Sequence, residues 1–94
     1  MYATVRVYAG RNDLIAGMVK HEDSVKSAIG AVPGFRSYYI VETPEGGAAS
    51  ITVCNDQAGA EESNRRAAAW ITENLPGLSI PPPSISAGKV AISF

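Results

Sequence analysis

Two Pro-Gly pairs constrain the fold of this chain more than any other feature of its sequence. Pro33-Gly34 and Pro76-Gly77 each end a stretch with helical periodicity, because proline disfavours helical geometry in the residue before it. An alternating apolar and polar stretch precedes each helical stretch, as expected of a strand. The 94 residues therefore form two strand–helix units, and a chain of this length fits one domain, 1–94.

The order of the predicted elements fixes the fold class. They are a strand over 2–8, a helix from about 13 to about 31, strands over 35–42 and 49–54 joined by a turn, a helix from about 57 to about 75, and a strand over 85–94. The order β-α-β-β-α-β is that of the ferredoxin-like α+β fold. We therefore expect a four-stranded antiparallel sheet with both helices on one face.

Alternation along the strands assigns side chains to the two faces of this sheet. We expect the helices to cover the apolar face, which carries Val5, Val7, Ile51 and Val53. The other face is too polar for a core and rather aromatic for a plain surface, with Thr4, Tyr8 and Thr52. Burial of that second face against another copy of the chain would explain its composition.

Composition excludes several function classes. The net charge is −1 and the eight basic residues are scattered, whereas nucleic-acid binding requires a basic stripe. No apolar run approaches the roughly 20 residues that span a bilayer. Met1 runs directly into a strand pattern without a signal peptide, so we expect a cytoplasmic protein. Cys54 is the only cysteine and is interpreted as a small buried hydrophobe.

Two polar residues fall within the apolar stripes of the predicted helices. Asn64 lies in the stripe of the second helix, beside Ser63, and His21 lies in that of the first. Asn64 either bonds a backbone group of the sheet or lines a pocket between helix and sheet. His21 is either structural or a general base, since its reference pKa is about 6.5. A single histidine without an inward carboxylate cluster predicts no metal site.

Three aromatic residues are candidates for the walls of a ligand pocket. Trp70 lies at the edge of the second stripe, where it is either a partly buried anchor or one wall of an aromatic-binding cleft. The pair Tyr38-Tyr39 points one ring to each face of the sheet. We expect one ring in the core and the other in a pocket or a dimer interface.

Several short segments resemble the antibiotic biosynthesis monooxygenase family, which belongs to the dimeric α+β barrel superfamily. They are Val32-Pro33-Gly34-Phe35, Ile51-Thr52-Val53 and Asp56-Gln57-Ala58, which opens the second helix. The resemblance covers essentially the whole chain. It implies a homodimer in which two sheets close into a barrel, with a pocket between the sheet and helices of each subunit.

The resemblance also implies a candidate activity. Some members of the family oxidise polycyclic phenols with O₂ and no cofactor, so the protein needs mainly a base, an oxyanion partner and a dry cavity. His21 would be the base and Asn64 the polar anchor. The substrate would be a small aromatic or quinone-like molecule. The substrate-binding side chains would be Trp70, Tyr38, Tyr39 and Ser63.

Other relatives degrade haem, using an Asn on the first strand and a Trp and a haem-ligating His on the second helix. This chain has Val5 and Ser63 there and no His on that helix, so no cofactor is expected. Two alternatives stay open. One is a non-catalytic dimeric module that binds a small apolar ligand. The other is an RNA-binding domain of the same topology, which would need basic and aromatic residues where the third strand has Ser50, Thr52 and Cys54.

Overall fold

The computed structural model describes residues 1–94 and contains four strands and three helices. In chain order they are β1 (Tyr2–Tyr8), α1 (Leu14–Lys20), α2 (Glu22–Gly30), β2 (Phe35–Glu42), β3 (Ala48–Cys54), α3 (Gln57–Asn74) and β4 (Ser84–Lys89). The sheet order is β2-β3-β1-β4, with every neighbouring pair antiparallel. The predicted ferredoxin-like α+β fold is confirmed.

The first helical stretch differs from the prediction, because it is broken into α1 and α2 at His21. This residue has φ −115° and ψ 36°, outside helical geometry. Its backbone N–H donates to the carbonyl oxygens of Gly17 and Met18, which ends α1. Its own carbonyl accepts from the N–H of Val25 at 3.1 Å, which begins α2. Both segments contact β2, and α2 also contacts α3.

The last strand is shorter than predicted, ending at Lys89 instead of Phe94. Its partner β1 explains the difference, since Lys89 pairs with Tyr2 and only Met1 remains to bond further residues. The N–H of Val90 donates to the Met1 carbonyl at 3.0 Å. Beyond that point no strand is available, and Phe94 is fully exposed.

Helix α3 forms as the sequence predicts, and its first turn lies close to the end of β3. Asp56 is its N-cap, and the carboxylate accepts from the N–H of Gly59 at 2.9 Å. A Cβ on Gly59 would lie 2.8 Å from the carbonyl oxygen of Pro33 and 3.0 Å from the Cβ of Cys54. Glycine is therefore required there for α3 to reach the Pro33 segment and β3.

The prediction for the two sheet faces is wrong, because the helices cover the opposite face. The covered face, here called the helix-side face, carries Thr4, Arg6, Tyr8, Ser50, Thr52 and Cys54, all of them buried. The other face, here called the open face, carries Val5, Val7, Ile51 and Val53, none of them fully buried. The alternation is as predicted, and only the side that faces the helices is reversed.

Polar partners on α3 explain the reversal. Ser63 and Asn64 of this helix bond to the Arg6 guanidinium, and Asn64 also to the Thr4 hydroxyl. Polar groups of helix and sheet therefore pair with one another, whereas an apolar sheet face would leave the helix amide unpartnered. The hydrophobic core lies beside this polar contact and is built by Tyr8, Leu14, Met18, Val25, Ile29, Ala48, Ala67 and Trp70.

Candidate functional site

A buried arginine is the most unusual group in the structure. The side chain of Arg6 is only 1% exposed. None of the nine acidic residues pairs with it, since the ion pairs join Glu22 to Lys26 and Glu62 to Arg65 and Arg66. A buried charge without a counter-ion costs several kcal/mol even after relaxation. Arg6 is therefore a candidate for binding a ligand that supplies the missing negative charge.

Neutral side chains hold the guanidinium in place. Arg6 Nη1 donates to Asn64 Oδ1 at 2.7 Å and to Ser63 Oγ at 3.4 Å, and Nη2 donates to Thr52 Oγ1 at 2.9 Å. The hydroxyl of Thr4 donates to the same Asn64 oxygen at 3.0 Å. Here these five residues are called the arginine cluster. Two donors on one oxygen fix the amide of Asn64, whose Nδ2 remains to donate elsewhere.

Two buried polar atoms beside this cluster have no hydrogen-bond partner. They are Arg6 Nε and Ser50 Oγ. Arg6 and Ser50 are directly opposite each other in the β1–β3 register, so their side chains are cross-strand neighbours on the helix-side face. A guanidinium has five N–H donors, and three are engaged in the bonds given above. Two guanidinium donors and the Ser50 hydroxyl therefore lie outside these bonds, beside the phenols of Tyr8 and Tyr38, which are close to Arg6, and in the case of Tyr38 also to Ser50.

Two tyrosines also lie close to Arg6. Burial raises the pKa of Tyr8, and the nearby Arg6 charge only partly opposes the rise. Burial likewise raises the pKa of Tyr38, again opposed by Arg6. The pKa of Cys54 is raised by burial and by the charge of Asp56. All three groups are therefore neutral at neutral pH and do not compensate the arginine charge.

A cleft of about 260 Å³ opens onto the arginine cluster between α3, the sheet and the triple-proline connector. Here it is called the arginine cleft. Arg6, Tyr8 and Asn64 form its polar part, while its walls are largely apolar, with Ile71, Ile80, Ile85 and Pro81-Pro82-Pro83. An apolar cleft with a few convergent polar groups is the usual form of a small-molecule site.

A second, larger cleft of about 490 Å³ lies between the α1–α2 segments and β2. Here it is called the apolar cleft. Its lining is mostly aliphatic and aromatic and includes Met18, Val25, Ile29, Phe35, Tyr38 and Ile40. No member of the arginine cluster lines it. It supplies space and apolar surface but lacks the polar groups of the arginine cleft.

The structure separates the two residues predicted to be catalytic. The ring of His21 packs edge-on against Trp70, with centroids 6.3 Å apart and an interplanar angle of 64°, and lines neither cleft. Asn64 belongs to the arginine cluster and lines the arginine cleft. Six residues separate Asn64 from Trp70, which is about 9 Å along the axis of α3. The predicted His21–Asn64 pair is thus not assembled in one cavity.

The predicted pocket walls are also divided among different surroundings. Trp70 is buried in the core and donates its Nε1–H to Ser24 Oγ at 2.9 Å. Tyr38 lines the apolar cleft, whereas Tyr39 is 61% exposed and pairs with Ile51 on the open face. Ser63 bonds Arg6 from α3. The two tyrosine rings therefore lie on opposite faces, as predicted.

Sequence reasoning missed Arg6 and its neighbour Ser50. A usable signal was present, because polar residues occupy alternate positions of β1 and β3 while α3 carries Ser63 and Asn64 in its inward stripe. Matching polar stripes on a helix and a sheet indicate a buried polar contact. A hydrophobicity argument alone assigns such strand positions to solvent.

The structure contains no group of three His, Cys, Asp or Glu side chains arranged to hold a metal ion. None of its helices has both the length and the apolar content needed to cross a membrane.

Comparison with known proteins identifies the fold. No protein-family model matches the chain, and no curated protein matches it. A candidate antibiotic biosynthesis monooxygenase from Chloroflexus aurantiacus superposes with a TM-score of 0.61 at 13% identity, covering 99% of this chain and 95% of that one. The chain has the fold of the antibiotic biosynthesis monooxygenases.

Two further solved structures share this fold. The monooxygenase ActVA-Orf6 of Streptomyces coelicolor, solved in complex with nanaomycin D, superposes with a TM-score of 0.63 at 17% identity over 99% of this chain and 89% of that one. SnoaB, a cofactor-independent oxygenase from Streptomyces nogalater, gives 0.52 at 12% identity over 99% and 93%. Similarity at these identities carries the fold, and function must be argued from the site.

Proposed function

We propose that this protein is a cofactor-independent monooxygenase that oxidises a small aromatic or quinone-like substrate in the arginine cleft. The observation that carries the proposal is the fixed amide of Asn64 at the polar end of a cleft with apolar walls. Two structures with the same fold, ActVA-Orf6 and SnoaB, are described as a monooxygenase and a cofactor-independent oxygenase. Their names support the reaction class.

The reaction balances without a cofactor. A ring CH₂ that is activated by a neighbouring carbonyl loses a proton, and the resulting enolate gives electrons to O₂. One oxygen atom forms the new C=O, the other leaves as water, and both C–H bonds of the CH₂ are broken. Asn64 Nδ2 donates to the substrate oxygen, where charge develops, and the apolar walls exclude water. With His21 packed on Trp70, no side-chain base takes the first proton, which passes to water at the mouth of the cleft before the apolar walls enclose the enolate.

The proposal includes a homodimer formed through the open face. In the single chain this face exposes Val7, Tyr39 and Val41, with the half-buried Val5 and Ile51 beside them. A contiguous apolar face of this kind marks an interface. A second copy covers it when two open faces meet, and the two sheets then form the barrel that the family resemblance implies.

Oxygen uptake in the presence of a model anthrone tests the activity. We expect wild type to accelerate uptake above the rate without protein, and Asn64→Ala to lose at least tenfold of that acceleration, because the donor to the developing oxyanion is gone. Asn74→Ala is the matched control, since Asn74 lies on the same helix but bonds the Trp70 carbonyl. His21→Ala should also retain the rate. Uptake equal to the protein-free rate would contradict oxygenation.

A non-catalytic binding module is the second candidate. One observation favours it: the only histidine lies outside both clefts, and Tyr8, which lines the arginine cleft, has a raised pKa and stays protonated. No basic group of the arginine cleft is then ready to accept a substrate proton. Saturable binding of an aromatic ligand without oxygen uptake would support this candidate.

A further inference from the structure

We propose that the ligand of the arginine cleft binds as an anion, with its deprotonated oxygen on the Arg6 guanidinium. The inference rests on the proposed function in taking this cleft as the ligand site. It adds the ligand's charge state and one recognition residue, Arg6.

The charge balance of the helix-side face is the first argument. Arg6 is buried and forms no ion pair. The titratable groups that face it are Tyr8, Tyr38 and Cys54, all held neutral by burial. Helix α3 faces it with Ser63 and Asn64, which are neutral at every pH. The site thus carries one unbalanced positive charge, and a monoanion neutralises it.

The donor geometry is the second argument. Arg6 Nε has no partner, and Nη2 uses only one of its two hydrogens, on Thr52. Two adjacent N–H groups of a guanidinium form a fork that matches a carboxylate or a delocalised oxyanion. Arg6 itself lines the arginine cleft, so this fork lies beside the ligand site.

Burial makes this recognition strong and selective. The attraction between opposite charges is about four times stronger at the effective dielectric near a protein surface than in bulk water. Arg6 Nε is closed off in the empty chain, so ligand entry must move a neighbouring side chain. Tyr8 lines the cleft and its phenol lies against Arg6, so Tyr8 is the side chain that we expect to move.

Three naphthalene probes test the inference. 2-Naphthol offers a phenolate, 2-naphthoate a carboxylate, and 2-methoxynaphthalene a neutral molecule of the same shape. We expect at least one of the two acids to bind wild type at least tenfold more tightly than the ether. The acid that does so identifies the source of the oxyanion. The pKa of bound 2-naphthol, measured by the absorbance of its naphtholate form, should be lower than that of free 2-naphthol. We expect a difference of about one pH unit for each tenfold preference for the anion.

Matched variants assign the preference to residues. Arg6→Met should abolish the advantage of the anion over the ether. Asn64→Asp should reduce it at least several-fold, because it places a carboxylate on Arg6 Nη1 and neutralises the charge that attracts the ligand. Ser27→Ala is the control, since Ser27 is exposed on α2 and should leave the preference unchanged. Circular dichroism checks the fold of Arg6→Met, and if that variant is unfolded, Asn64→Asp alone decides.

The outcomes separate this inference from the proposed function. Equal affinity for the ether and both acids, or no binding of either acid, would overturn the anion site. So would an unchanged preference in folded Arg6→Met or, where that variant is unfolded, in Asn64→Asp. Anion-selective binding without oxygen uptake would support the anion site and contradict the proposed oxygenase activity. Oxygen uptake without anion selectivity would support the oxygenase activity and contradict the anion site.

Discussion

The helix-side face and the open face of the sheet divide polar and apolar side chains in opposite ways. The helix-side face carries an arginine, two threonines and a serine under α3, and all are buried. The open face carries valines, an isoleucine and a tyrosine, and several remain exposed in the single chain. A typical one-sided sheet has the reverse arrangement, with its apolar face on the core and its polar face in water.

Each face is energetically incomplete in a single chain without ligand. The helix-side face holds an unbalanced charge and two unpartnered polar atoms, which lowers stability. The open face presents apolar surface to water, which favours association. We therefore propose different partners for the two faces: a small ligand on the helix side and a second copy of the chain on the open side.

The largest expected effect is on the open face. Ile51 lies mid-strand in β3, between Val5 of β1 and Tyr39 of β2. Ile51→Lys places a charge at the centre of the proposed interface, where an unpaired charge costs several kcal/mol. We expect light scattering to show a change from a dimer to a single 9.8 kDa chain.

The control for this change is Ala69→Lys. Ala69 is exposed on α3, so the same lysine there should leave the dimer mass unchanged. A wild-type protein with the mass of one chain at micromolar concentration would show that no second copy covers the open face. The proposed partner of the open face would then be wrong.

A reciprocal exchange on neighbouring residues gives a smaller effect. Thr52 is fully buried on the helix-side face and accepts from Arg6 Nη2, while Val53 lies half-buried on the open face. Thr52→Val leaves an arginine donor unsatisfied, so we expect the free energy of unfolding to fall by about 1–3 kcal/mol. Val53→Thr keeps the side-chain volume and breaks no hydrogen bond, so a smaller loss is expected.

Urea unfolding of both variants measures the difference. The pair is internally controlled, because the two substitutions are of the same size and adjacent in one strand. If the free energy of unfolding falls as much or more in Val53→Thr than in Thr52→Val, the hydrogen bond from Arg6 to the Thr52 hydroxyl does not stabilise the fold.

The sequence predicts the element order, the hairpin and the Asp56 cap because these depend on local signals: period, turn residues and capping chemistry. It fails where a distant partner decides. His21 breaks a helix whose periodicity runs through it, and β4 ends at Lys89 because β1 has no further residues to pair. The prediction for the sheet faces is wrong for the same reason, because the inward polar residues can be buried only when Ser63 and Asn64 supply hydrogen-bond partners.

The candidate site shows the same division. Asn64 could be singled out, because an amide in an apolar stripe is unusual within one helix. Arg6 could not, because an arginine at an alternate strand position is ordinary when that strand face is in water. Its significance depends on burial, which belongs to the assembled fold.

The smallest expected effect is a pH dependence that arises on the helix-side face. Burial raises the pKa of Tyr8 and Tyr38 above the ordinary value of 10.0. In the range between the ordinary and the raised pKa, the unfolded chain loses a proton that the folded chain keeps. The stabilisation is therefore complete below about pH 10 and is lost as the pH rises towards the folded-state pKa.

Urea midpoints measured from about pH 8 to about pH 11 should accordingly fall at the alkaline end. Burial also raises the pKa of Cys54 from 9.0, so the decline should begin about one pH unit before the tyrosines contribute. Tyr8→Phe and Tyr38→Phe should each make the decline shallower, and the double variant should make it shallowest. A decline unchanged in the double variant would mean that neither phenol is shielded as the helix-side face requires, because groups whose pKa is equal in the folded and unfolded chains contribute no such slope.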